Sequence, residues 1–184
     1  MRIIRGFSSL LVLAMAGWTA SAATLTWTNT IGGSWSIPQN WDPNVVPGAG
    51  DTAVINRDGT YVIIADASGE LNSLALGGGS GTQTLVLTQN GLSCTGNIAV
   101  SNGAVLEANG FVQAQQIIVS GTMNWDSGFV GSGMIVATNG VLNITGDSIK
   151  TLAAGAGLTN YGLVEWSGVG GINAQDYQYS PGHP

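Results

Sequence analysis

The sequence predicts an all-β protein wound as a single right-handed parallel β-helix, a solenoid of short strands stacked coil upon coil. Three observations predict it. Apolar residues alternate with polar ones in short pieces, glycine or Asn-Gly closes nearly every piece, and one stretch of text recurs 41 residues further on. Period-two alternation in β-branched company argues strand, and past residue 22 no stretch of helical length shows a 3.6-residue period. Strands this short and glycines this regular do not suit a sandwich of ordinary five- to six-residue strands.

The chain opens on something other than a strand. Arg2 and Arg5 make a positive start, positions 6–18 are mostly apolar, and Ala20-Ser21-Ala22 offers the small residues a signal peptidase accepts. The apolar run is shorter than the ~18 to 20 residues that cross a bilayer, and it ends in small residues, not in a charged stop. Residues 1–22 are read as a signal peptide, cut after Ala22. The remaining chain has 184 − 22 = 162 residues and a formal charge of 2 − 10 = −8. It is expected to be secreted or held on the outer cell surface, without a membrane span of its own.

Residues 23–56 are read as a tryptophan-rich capping segment with the first strands. Trp27, Trp35 and Trp41 fall beside Pro38, Pro43 and Pro47. Bulky aromatics can cover the open end of a solenoid, and the same rings, if exposed, could stack on sugars. The cap is the favoured reading, and glycan stacking on Trp27, Trp35 and Trp41 is the alternative.

Residues 57–172 are read as the coils. Leu74-Ala75-Leu76, Leu85-Val86-Leu87, Leu92-Ser93-Cys94, Ile98-Ala99-Val100, Val105-Leu106, Ile117-Ile118-Val119, Met123-Asn124-Trp125 and Val141-Leu142-Asn143-Ile144 are the strand pieces. Asn90-Gly91, Asn102-Gly103, Asn109-Gly110 and Asn139-Gly140 mark turns, because both residue types tolerate positive φ. The repeat sets the coil length. Gly121-Thr122-Met123-Asn124-Trp125 returns as Gly162-Leu163-Val164-Glu165-Trp166, which suits two coils of about twenty residues each. In that register Met123, Trp125, Val164 and Trp166 point inward, and both tryptophans are read as core. Residues 173–184 show no strand pattern and are read as an irregular tail, as of a truncated chain, with Tyr177 and Tyr179 its bulky residues.

The text from Gly121 to Gly128, Gly131-Ser132-Gly133-Met134-Ile135, Asn139 to Gly146 and Leu158 to Gly168 resembles the repeats of large bacterial surface proteins of the autotransporter-passenger and filamentous-haemagglutinin-like type. Trp27, Trp35-Ser36, Asn40-Trp41, Pro47 and Gly50 to Ile55 resemble the segment that opens many such passengers. The resemblance implies a right-handed parallel β-helix exported to the cell surface or the medium. Those proteins are typically much longer and end in a membrane barrel or sorting anchor, neither of which this sequence shows.

Chemistry-bearing residues are few. The single cysteine, Cys94, cannot form an internal disulfide and alternates onto the face of Leu92, so a buried inert thiol is expected over a reactive or intermolecular one. Gly48-Ala49-Gly50-Asp51 is one residue short of a calcium-binding glycine-aspartate repeat and occurs once, so Asp51 is expected to accept backbone hydrogen bonds in its turn. Asp58 and Asp66 flank Tyr61-Val62-Ile63-Ile64 and are expected on a solvated rim. Asp126 and Glu165 are the most tempting outward carboxylates, but two coils and two residues of offset separate them by roughly 12 Å, beyond the ~5 to 9.5 Å of a glycosidase pair. Asn143-Ile144-Thr145 matches a glycosylation acceptor, and His183, the only histidine, sits among turn formers.

Composition excludes more than the motifs include. With 8% charged residues and four basic side chains in all, the chain has no basic surface for nucleic acid. Arg57 and Lys150 are the only cations past the signal, and the carboxylate excess would repel the polyuronates that lyases cleave. No catalytic, cofactor or metal site is assigned. The expected role is an exported, non-catalytic surface or adhesive module, meeting a glycan or a cell-surface partner and able to associate end to end through its C-terminal coil. An extracellular polysaccharide-binding or polysaccharide-cleaving β-helix protein is the competing class.

Overall fold

The fold is seen in a computed structural model that describes residues 22–174. Most of the signal segment, as well as Tyr177, Tyr179 and His183, lies outside the described residues. Thr24–Trp27 (β1), Gly33–Ser34 (β2) and Trp41–Asp42 (β3) come first, with one turn of 3-10 helix at Pro38–Asn40 before β3. Six coils of three strands follow. The first is Thr52–Ile55, Tyr61–Ala65 and Gly69–Leu71 (β4 to β6), and the second Ser73–Leu76, Gln83–Leu87 and Leu92–Cys94 (β7 to β9). The third is Ile98–Val100, Val105–Ala108 and Phe111–Gln113 (β10 to β12), and the fourth Gln116–Val119, Thr122–Trp125 and Gly128–Val130 (β13 to β15). Gly133–Val136, Val141–Ile144 and Lys150–Leu152 (β16 to β18) make the fifth, and Leu158–Asn160, Leu163–Trp166 and Ile172–Ala174 (β19 to β21) the sixth.

Every third strand joins the same sheet. The first sheet runs β3-β1-β4-β7-β10-β13-β16-β19, the second β2-β5-β8-β11-β14-β17-β20 and the third β6-β9-β12-β15-β18-β21. All pairs are parallel except β1 with β3, which meet antiparallel at Thr26 with Asp42 and Trp27 with Trp41. A three-residue strand cannot hold itself in water, but its backbone groups pair with the coils above and below, so the stack becomes continuous sheet. The coil is elastic in length. Down the column Ala53, Leu74, Ile98, Ile117, Met134 and Leu158 the steps are 21, 24, 19, 17 and 24 residues, the differences being absorbed at the corners.

The core is built of inward columns. Ala53, Leu74, Ile98, Ile117 and Met134 are all buried, as are Leu85, Leu106, Met123 and Leu142 in the second sheet. Each fully buried aliphatic side chain contributes about 1.5–3 kcal/mol relative to exposure. The 41-residue repeat is indeed two coils, since Trp125 pairs with Ile144 and Ile144 with Trp166. Only the first tryptophan is core, however: Trp125 is 2% exposed and Trp166 55%. Trp166 lies in β20, the outermost strand of its sheet, where no coil among the described residues covers the inward column.

Two further readings are refined. No non-glycine residue among those described has positive φ, so in the Asn-Gly turns the asparagine does not use the freedom it was credited with. Gly91 supplies the positive φ alone, at 76°, whereas at Gly140 the constraint is closeness: a Cβ there would overlap the Val119 carbonyl oxygen of the coil below. The tail read from residue 173 begins two residues too early, because Asn173 and Ala174 of β21 pair with Thr151 and Leu152 of β18.

Candidate functional site

The chemistry-bearing side chains do not converge. They fall at the N-terminal end, along the outer face of the second sheet, and at two corners. At the N-terminal end Trp27, Trp35 and Trp41 are 0%, 3% and 1% exposed. Trp41 stands edge-on to both others, with ring centroids 5.2 Å from Trp27 and 4.6 Å from Trp35. The indole N–H of Trp27 donates to the Asn29 carbonyl at 2.6 Å and that of Trp41 to the Trp35 carbonyl at 2.9 Å. With all three rings buried, none offers an open face to a sugar, and the glycan-stacking reading of these residues has no surface to act on. Together with β3 on the edge of β1, they close this end of the core.

Carboxylates tie the closing segment to the first coil. Asp66, expected on a solvated rim, accepts hydrogen bonds from Ser34 Oγ, from Ser36 Oγ at 2.7 Å and from Ser36 N at 3.0 Å. Desolvation pushes its pKa up, but the serine donors outweigh it and hold the carboxyl below its ordinary value. Asp58 accepts from Ser80 N at 2.7 Å, which likewise lowers its pKa. Asp51 behaves as its turn suggested, accepting from Gly48 N at 3.0 Å and Ala23 N at 2.9 Å.

On the outer face of the second sheet Glu107, Asn124, Asn143 and Glu165 stand in one column. Asn124 Nδ2 donates to Glu107 Oε1 at 2.7 Å and Asn143 Nδ2 to Asn124 Oδ1 at 2.8 Å. The amide of the glycosylation-like Asn143 is thereby engaged in a ladder. Asp126 lies two residues beyond Asn124, outside this column, and accepts from Thr145 Oγ1 at 3.3 Å. Asp126 and Glu165 are thus as far out of register as the repeat indicated. Among the described residues no three of His, Cys, Asp and Glu gather as metal ligands.

Lys150, counted as a surface cation by composition, is instead fully buried. Its ammonium donates to the carbonyls of Ser148 at 3.0 Å and Gly146 at 3.3 Å. Gln83, also fully buried, does the same at another corner, its Nε2 donating to Gly59 O at 2.7 Å and Ser80 O at 3.0 Å. Both are buried polar groups that donate to corner carbonyls, of which Ser80 O and Gly146 O also accept a backbone N–H from a neighbouring coil. Sequence reading missed both roles, although each opens a strand on the heels of a long loop. Cys94 is buried, and desolvation pushes its thiol up to about 12. Also unforeseen, Phe111 and Phe129 pair on the outer face of the third sheet, their rings parallel within 2° at 5.3 Å. Phe111 is 39% exposed. Their only signal in the sequence is an 18-residue spacing close to one coil.

No family model, curated protein or solved structure matches this chain. Among the described residues no helix is long and apolar enough to cross a membrane.

Proposed function

We infer that the protein is an exported, non-catalytic surface or adhesive module whose task is to present a long, stiff face. The observation that carries this reading is the outer face of the second sheet, where Glu107, Asn124, Asn143 and Glu165 stand in register and the first three spend their side chains on one another across coils. A hydrolase needs two carboxyls facing across a scissile bond, with one kept protonated. Here the outward carboxylates are dispersed, and their neighbours are amides and hydroxyls of the same sheet. Export through the segment 1–22, in the manner of the bacterial surface proteins the repeats resemble, completes the reading.

A second reading, polysaccharide binding, is favoured by the stacked Phe111 and Phe129, which solvent reaches on the third sheet. Incubating the processed chain with a panel of extracellular polysaccharides separates the two. Neither turnover nor retention on the panel, with adhesion of the displayed protein to cells, is the expected result. Retention lost in Phe111→Ala moves the assignment to glycan binding. Product release abolished by Glu107→Gln or Glu165→Gln overturns the non-catalytic reading.

A further inference from the structure

We propose that Asp51 is the receptor for the mature amino terminus: once the chain is cut between Ala22 and Ala23, the freed α-ammonium of Ala23 pairs with the Asp51 carboxylate and closes the first coil on the processed end. The proposal deepens the exported reading and rests on it.

The geometry is already in place. Ala23 N lies 2.9 Å from Asp51 Oδ1, and Gly48 N holds Oδ2 at 3.0 Å, so both carboxylate oxygens are oriented before any cut is made. Thr52 N donates to Ala23 O at 2.8 Å, and Thr24 pairs with Thr52 where β1 joins β4. Ala23 is therefore bound to the first coil through its nitrogen and its carbonyl at once. Ala22 and Ala23 are both exposed, which leaves the bond between them on the surface, directly after Ala20-Ser21-Ala22.

Hydrolysis of that bond by a signal peptidase consumes one water. The hydroxyl goes to the Ala22 carbonyl carbon, which leaves as a carboxylate on the released segment, and the Ala23 nitrogen gains the protons that make it an ammonium. The group facing Asp51 then changes from an amide N–H into a cation with three donors, without moving. The carboxylate makes this bond charge-assisted before the cut, and the new ammonium adds direct attraction between opposite charges. The other contacts of this corner come from Gly48, Thr52 and Asn72, whose N–H donates to Asp51 O at 2.7 Å, and none of these titrates. Arg57 and Lys150 are the other cations of the processed chain, and Lys150 is committed to Gly146 and Ser148.

The test uses the exported protein and its Asp51→Asn variant. Intact mass and N-terminal sequencing are expected to place Ala23 first. An NMR titration of the Ala23 α-amine is expected to give a pKa about half a unit or more higher in the unmutated protein than in the Asp51→Asn variant. A different first residue overturns both the proposal and the processing it rests on. Ala23 first with equal α-amine pKa values overturns the Asp51 pairing and leaves export standing. Should Asp51→Asn fail to fold, Nα-acetylation of the unmutated protein removes the charge alone. A fall in Tm on acetylation supports the pairing, and an unchanged Tm overturns it.

Discussion

Trp125 and Trp166 occupy one column of the second sheet, each paired with Ile144, yet Trp125 is 2% exposed and Trp166 55%. Each closes a Gly-x-x-x-Trp segment, and the difference is whether, among the described residues, a further coil lies above. Burial in a solenoid is thus decided by rank in the stack as much as by residue type.

Replacing each tryptophan by alanine should expose that difference. Trp125→Ala opens a cavity between coils and is expected to cost about 3–5 kcal/mol. Trp166→Ala should cost less than about 1.5 kcal/mol, because most of its surface is already in water. Urea unfolding of both variants measures the gap, and equal losses would contradict the column assignment.

Gly140 and Gly133 separate closeness from conformation. A Cβ at Gly140 would overlap the Val119 carbonyl oxygen, whereas one at Gly133 meets nothing within 4 Å. Gly140 does not have positive φ. Gly140→Ala should therefore lose about 1–3 kcal/mol through forced separation of two coils. Gly133, also without positive φ, should accept alanine neutrally or gain up to about 1 kcal/mol by restricting the unfolded chain. Thermal melts of the two single variants suffice.

Asp66 makes the closing segment acid-sensitive. Its folded pKa lies below its ordinary value, so its contribution is fully present above the unfolded carboxyl value near ~3.9 and is lost as pH falls through the folded one. Asp66→Asn should cost about 0.5–1.5 kcal/mol at neutral pH, the hydrogen bonds being solvent-screened. The difference between the two proteins should shrink as the pH drops below about 4. A difference that persists unchanged to about pH 2 would show that the charge on Asp66 plays no part.

Cys94 should be silent toward thiol reagents in the native state. Burial holds its pKa at about 12, so at about pH 8 the thiolate that attacks a disulfide reagent is scarce and out of reach. Labelling should become complete on unfolding in guanidinium. Fast native labelling would mean that β9 opens far more readily than its place in the third sheet allows.

Much of this architecture is legible in the text. Leu92–Cys94, Ile98–Val100 and Val141–Ile144 are strands residue for residue, because two inward apolar residues flanking an outward one form a recognisable unit. Phe111–Gln113 and Gly128–Val130 escape notice, since each buries a single apolar side chain, Val112 or Val130, and one residue shows no period. What the sequence by itself determined is the period: alternation of two within strands, about twenty per coil, glycine at the corners. The tertiary structure alone decided which repeats are core, that Lys150 and Gln83 turn inward to corner carbonyls, and that Asp66 and Asp51 clasp segments 30 and 28 residues away. The physical reason is that local pattern specifies which face a side chain takes, whereas its strand neighbours lie 17 to 24 residues distant in the adjoining coils, and only the folded stack and its corners decide which polar groups come within hydrogen-bonding reach.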